Sequence, residues 1–128
     1  MKKVQRTLIA VSFAVGALIA QPVDFVKTIE PIFAAKCYAC HGPSKQTSGL
    51  RLDDRAAALA GGYGGKVIIP GNGTDSILIQ RISAAKGLMA MPFGSKGLPA
   101  EQAALIKSWI DQGASYRSEE HTSELQSQ

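Results

Sequence analysis

The chain has 128 residues, 45% of them hydrophobic and 19% charged, with a formal net charge of +4 at pH 7, two cysteines and two histidines. That length bounds it to one domain with a modest core. The positive balance comes without a basic helix face or interleaved aromatics, which excludes the usual nucleic-acid readers.

The N-terminus, "MKKVQRTLIAVSFAVGALIAQP", places Lys2, Lys3 and Arg6 before an apolar run from Thr7 to Ala20. As a helix that run falls short of the ~30 Å hydrocarbon core. Residues 1–20 therefore read as a secretory signal peptide. Ala20 is a suitable small residue before a cut, and Leu18 a poor third residue back. The alternative is an uncleaved membrane anchor, and either way the protein is exported, to a periplasmic or other extracytoplasmic site.

In "VDFVKTIEPIFAAKC", Val26, Ile29 and Phe33 repeat at helical spacing with Ile32 beside them. Pro31 lacks an N–H, so the firm helix is predicted from about Pro31 to Cys37, with Pro31 in its first turn. "CHGPSKQTSG" is predicted as loop. "GLRLDDRAAALAGG" reads as a short extended piece and a helical turn or two, capped by Asp53 and ended by Gly61. Adjacent Asp53 and Asp54 are explained by capping and are no catalytic pair.

"GGYGGKVIIPGNGTD" invites a phosphate-loop reading, but Val67 follows Lys66 where Ser or Thr is needed, and the glycine spacing is wrong. It reads instead as a loop lying close over something flat. "TDSILIQRIS" is a predicted helix with Asp75 as cap and Ile77, Leu78 and Ile82 on the apolar side. "AAKGLMAMPFGSKG" is irregular. "LPAEQAALIKSWIDQG" is the clearest helix: Pro99 starts it, Glu101 sits in its first turn and Gly113 follows its end. Ala103, Ile106, Trp109 and Ile110 share one face, and Trp109 is expected to meet Phe33 where the first and last helices cross. No strand pattern and no internal repeat is present.

Residues 117–128, "RSEEHTSELQSQ", are polar and without periodicity. Residues 117–127 resemble the translated read-through of a sequencing adapter, so the segment is expected to be an artefact or a disordered tail, and the natural protein to continue beyond Tyr116. His121 is discounted with it. The remaining domain, 21–116, carries 10 Lys and Arg against 7 Asp and Glu.

Within it, "AAKCYACHG" gathers Cys37, Cys40 and His41. Three chemistries use a Cys-x-x-Cys pair. A redox dithiol usually opens a helix after a strand of a parallel sheet, whereas these cysteines close a helical pattern in a strandless chain. A structural zinc site needs four ligands, and residues 21–116 hold no other Cys or His. A c-type haem needs what is here: two thiols with two residues between them to bond the vinyl groups, and a histidine directly after to ligate the iron. Attachment outside the cytoplasmic membrane agrees with the leader.

Residues 23–114 resemble the planctomycete-type cytochrome c domain, through "VDFVKTIEPIFAAKCYACHGPSKQTSGLRLDD", "VIIPGNGTDSILIQRIS", "MPFGSKGLP" and "LIKSWIDQGA". The family often reads Met-Pro-Pro, where Phe93 follows Pro92 here. The resemblance implies a class I-like fold, haem attachment at Cys37 and Cys40, His41 as proximal ligand and Met91 as distal ligand. A count of the remaining donors agrees: only Met89 and Met91 offer a thioether, and Pro92 favours an extended Met91. Met89 is read as filler. Tyr63 is left between a haem-edge contact and a surface residue, and Arg51 is a possible neighbour of a propionate.

The expected fold is a small all-α cytochrome c-like domain wrapped around one covalently bound haem c. The expected function is one-electron transfer by an exported monohaem cytochrome, the N-terminal relay module of a longer protein. Its partner is then a redox protein or a fused downstream enzyme domain, and the domain itself carries electrons rather than catalyses. No nucleic acid is expected as a partner, and no membrane contact beyond an uncleaved leader. The alternative is a haem sensor or small-ligand binder whose sixth iron site is open or weakly held.

Overall fold

The computed structural model describes residues 21–118. The leader expected at 1–20, and all of the expected tail but its first two residues, lie outside the described residues.

The Asp24 carboxylate accepts from the Lys27 N–H at 3.0 Å and starts the first helical segment. This segment opens as a wide π turn, Phe25–Ile29, in which the Glu30 N–H reaches back to the Phe25 carbonyl. It continues as α1, Glu30–Lys36. The wide turn lets the chain be helical upstream of Pro31, whose ring would crowd the carbonyl four residues back in a regular helix. It also aligns residues four apart, so Phe25, Ile29 and Phe33 are buried while Val26, expected on that face, is 46% exposed.

A short α2, Tyr38–His41, follows directly. Cys40 and His41 are thus helical, where loop was expected. After a single turn of 3₁₀ helix, Thr47–Gly49, comes α3, Arg55–Ala60. Its cap is Asp54, which accepts from the Ala57 N–H at 2.9 Å, and not Asp53. Asp53 is engaged by Arg51, whose Nε and Nη2 donate to its two oxygens at 2.7 and 2.9 Å. Those hydrogen bonds hold the Asp53 carboxyl below its usual range. Gly61 ends α3 at φ 84°, with the Gly65 carbonyl packed where a side chain would stand.

The fourth helix, α4, is Ile77–Ile82. Asp75 does not cap it; that carboxylate accepts from the Asn72 amide at 2.9 Å. The fully buried Ser76 precedes the helix instead. Its hydroxyl accepts from the Ile69 N–H and donates to the Asn72 carbonyl, so a buried polar group is satisfied within its own loop. The buried face is Leu78, Ile79 and Ile82, with Ile77 half-exposed, one residue on from the expected set. The long helix α5, Ala100–Asp111, forms as predicted, with Pro99 before it, Glu101 in its first turn and Gly113 beyond its end. Ala103, Ile106, Trp109 and Ile110 are all buried.

The core sits where α5 crosses the first helical segment. Phe33 meets Trp109 edge-to-face at 5.7 Å, and Phe25 lies 5.5 Å from Trp109 and stacks on Tyr116 at 4.1 Å. The Trp109 indole N–H donates to the Ser115 carbonyl at 2.7 Å, so its one polar group is partnered. The described residues form five α-helices and no strand. None of those helices is long and apolar enough to cross a membrane.

Tyr116 gives the fold a measurable alkaline limit. Its hydroxyl donates to the Leu52 carbonyl at 2.7 Å, and burial pushes the phenol well above its ordinary value. The native state therefore keeps a proton that the unfolded chain loses near pH ~10. The contribution of Tyr116 to stability is level below that pH and falls as pH rises above it, because there the native state binds more protons. Tyr116→Phe is expected to be slightly less stable at neutral pH, by about 1 kcal/mol for the lost hydrogen bond. It is also expected to lose less stability than the parent between pH 9 and 12. Urea midpoints across that range check this, and equal losses in the two proteins would count against it.

Candidate haem-attachment site

The junction of α1 and α2 is one helical turn hung on Cys37. The Cys37 N–H donates to the Phe33 carbonyl at 2.7 Å, and the Cys37 carbonyl accepts from Cys40 N–H at 3.2 Å and His41 N–H at 2.8 Å. Residues at i, i+3 and i+4 of such a turn share a face, so Cys37, Cys40 and His41 are brought to one side. Gly42 allows the chain to leave the turn at once: a Cβ there would collide with the Tyr38 carbonyl. The Gln46 side-chain amide then donates to the Gly42 and Pro43 carbonyls at 2.9 and 3.0 Å and closes the loop behind the histidine.

The two thiols are free and differ in setting: Cys37 is partly buried against the core and Cys40 exposed. Burial pushes the Cys37 thiol up to about 11, so it stays protonated at neutral pH. A thioether has no proton to lose and no charge to bury, so the same setting suits it. Among the described residues no three of His, Cys, Asp and Glu gather closely enough to hold a metal ion.

His41 is half-buried, and its Nδ1 lies 3.3 Å from the Leu50 carbonyl. A carbonyl can only accept, so this contact places the ring proton on Nδ1 and leaves Nε2 as the basic nitrogen. This is the arrangement by which a carbonyl orients a metal-binding imidazole. The Leu52 N–H donates to the His41 carbonyl at 2.9 Å and holds the same stretch of chain alongside the turn.

Met91 arrives on the long connection between α4 and α5. It is half-buried and packs against the core, as does Cys37. Its N–H donates to the Arg81 carbonyl at 3.0 Å, and the Arg81 guanidinium donates to the Met89 carbonyl at 3.0 Å. Met89 itself is 56% exposed, so it does not fill the core. Three large apolar side chains stay exposed in the segments on which the site residues lie or next to them. Met89 and Phe93 flank Met91, and Tyr63, 90% exposed, lies on Gly49 beyond the cysteine turn. Two concavities among the described residues, one lined by Ile79, Leu98, Ala103 and Lys107 and one by Arg55, Tyr116 and Arg117, border none of the four site residues.

A family model described as planctomycete cytochrome C matches residues 37–92. Over these residues the chain is similar to that family. The match opens at Cys37 and closes at Pro92, so it encloses both cysteines, His41 and Met91, and it agrees with the resemblance read from the sequence. The cytochrome c family implies a covalently bound haem c, which the all-α fold and the Cys-x-x-Cys-His turn of this domain fit. No match was found among the curated proteins or the solved structures. Three site features carried no sequence signal strong enough to single them out: the Leu50 carbonyl on His41, the closeness that requires Gly42, and the double hold of Arg81 on the methionine loop.

Proposed function

We propose that this domain is an exported one-electron carrier that binds a single haem c. In this reading Cys37 and Cys40 would hold the porphyrin through thioether bonds, His41 would ligate the iron through Nε2, and Met91 would supply a thioether ligand. The observation that carries the reading is the His41 ring, its Nδ1 turned to the Leu50 carbonyl on the same turn as two free thiols. When bound, the haem supplies a one-electron iron couple. The chain's own share is to hold Nε2 free, to present a thioether, which favours the reduced iron, and to leave no coordination position for a substrate.

The leader read at 1–20 supports export. The electron partner is a separate redox protein or a domain downstream in a longer protein, for which this domain serves as the relay. The test is the haem-loaded domain itself: a reversible one-electron titration together with slow carbon monoxide binding by the reduced form. A reduced form that takes up carbon monoxide at once would overturn the carrier reading in favour of a ligand sensor.

A further inference from the structure

We infer that Arg81 is a positioning residue for the Met91 ligand, holding the Met89–Met91 segment so that its thioether is presented and small ligands are kept from replacing it. This rests on the reading of Met91 as the distal ligand. Two hydrogen bonds fix the segment to α4, and Arg81 makes both. Its carbonyl accepts from the Met91 N–H, and its guanidinium reaches across to the carbonyl of Met89, each at 3.0 Å. The grip therefore falls on either side of Ala90 and fixes the direction of the chain at Met91, not merely its distance from α4.

The frame behind the grip is rigid. Leu78, Ile79 and Ile82 bury one face of α4 and fix the helix that carries the partly exposed Arg81. The far end of the same connection is tied to the next residue, through the Leu98 N–H on the Ile82 carbonyl at 2.8 Å. The connection around Met91 holds exposed residues, Met89 and Phe93 among them, while Met91 itself rests half-buried against the core, so the guanidinium adds direction to a side chain that packing alone holds on one side. The Arg81 side-chain hydrogen bond is itself exposed. Removing it leaves the core intact and acts on the loop.

A cation in the last turn also complements the helix dipole, and that bland role predicts a small stability loss and nothing at the iron. The two are separated on the haem-loaded protein with Arg81→Met, which keeps the stem and removes the donors. The readouts are the weak near-infrared band of sulfur-to-iron ligation in the oxidised form and the rate of carbon monoxide binding to the reduced form. Arg81→Met is expected to keep its covalent haem and melt within a few degrees of the parent. Its band should weaken, and carbon monoxide should bind roughly tenfold faster, the scale of one lost charge-assisted hydrogen bond. Arg81→Lys, with a donor restored, is expected to fall between the two. If Arg81→Met yields no holoprotein, Arg81→Gln, too short to span the same gap, is read by the same criteria. If the parent shows the band, Met91→Ala loses it, and the Arg81 variants match the parent, the positioning role is overturned while the ligand reading stands. If the parent lacks the band and Met91→Ala changes nothing, the ligand reading fails and this inference falls with it.

Discussion

Met91→Ala is expected to lower the reduction potential of the haem-loaded domain by on the order of 0.1–0.3 V, within the ~0.8 V range that axial ligands set. A thioether is a soft donor that favours reduced iron, and the water or hydroxide that takes its place favours the oxidised form. The near-infrared band should vanish and carbon monoxide should bind rapidly to the reduced variant. Met89→Ala is the control two residues away: its side chain is 56% exposed, and both properties should stay at parent values. Loss of the band in Met89→Ala but not in Met91→Ala would reassign the ligand. An unchanged potential in both would remove methionine from the site.

Trp109→Ala is expected to cost about 3–5 kcal/mol, the range for emptying a buried aromatic site. Trp109 is 1% exposed and touches Phe25, Phe33 and Tyr116. The cavity would therefore open at the crossing of α5 with the first helical segment. In a domain of this size that is a large part of a total of roughly 5–15 kcal/mol, and the melting temperature should fall by more than ~10 °C. Leu105→Ala on the same helix, at a side chain 39% exposed, should cost under ~1 kcal/mol. Thermal melts of the two haem-loaded variants compare the costs. A Trp109 variant that melts with the Leu105 variant would show that the haem, not this aromatic crossing, holds the helices together.

Long periodic elements were legible in the sequence. The Ala103, Ile106, Trp109, Ile110 stripe, with Pro99 before it and Gly113 after it, placed α5 and predicted its crossing with Phe33. The short elements were misread by one residue because tertiary partners outbid local preference. Asp53 and Asp54 are equally good caps by type, and only the reach of Arg51 decides which remains to cap α3. Asp75 is a good cap by type too, but the helix start at Ser76 is fully buried, and a small hydroxyl satisfied by Ile69 and Asn72 suits it better. Pro31 pointed to the helix start that intrinsic preference requires, and the π turn that lets Phe25 join the core has no sequence signature. For the proposed site, the five consecutive residues from Cys37 to His41 carry the haem reading in the sequence. Leu50 and Arg81 stayed hidden because one acts through a main-chain carbonyl, which any residue supplies, and the other as an arginine in a helix's last turn, a common and unremarkable place.

The central claim is a haem bonded to this chain, and its most direct test is the mass of the chain after denaturation. The domain is expressed with a periplasmic haem-attachment system, unfolded in acid and organic solvent, and weighed. One haem is expected to remain on the chain by mass, and none on the Cys37→Ala, Cys40→Ala double variant. Haem released completely from the unfolded parent would contradict it.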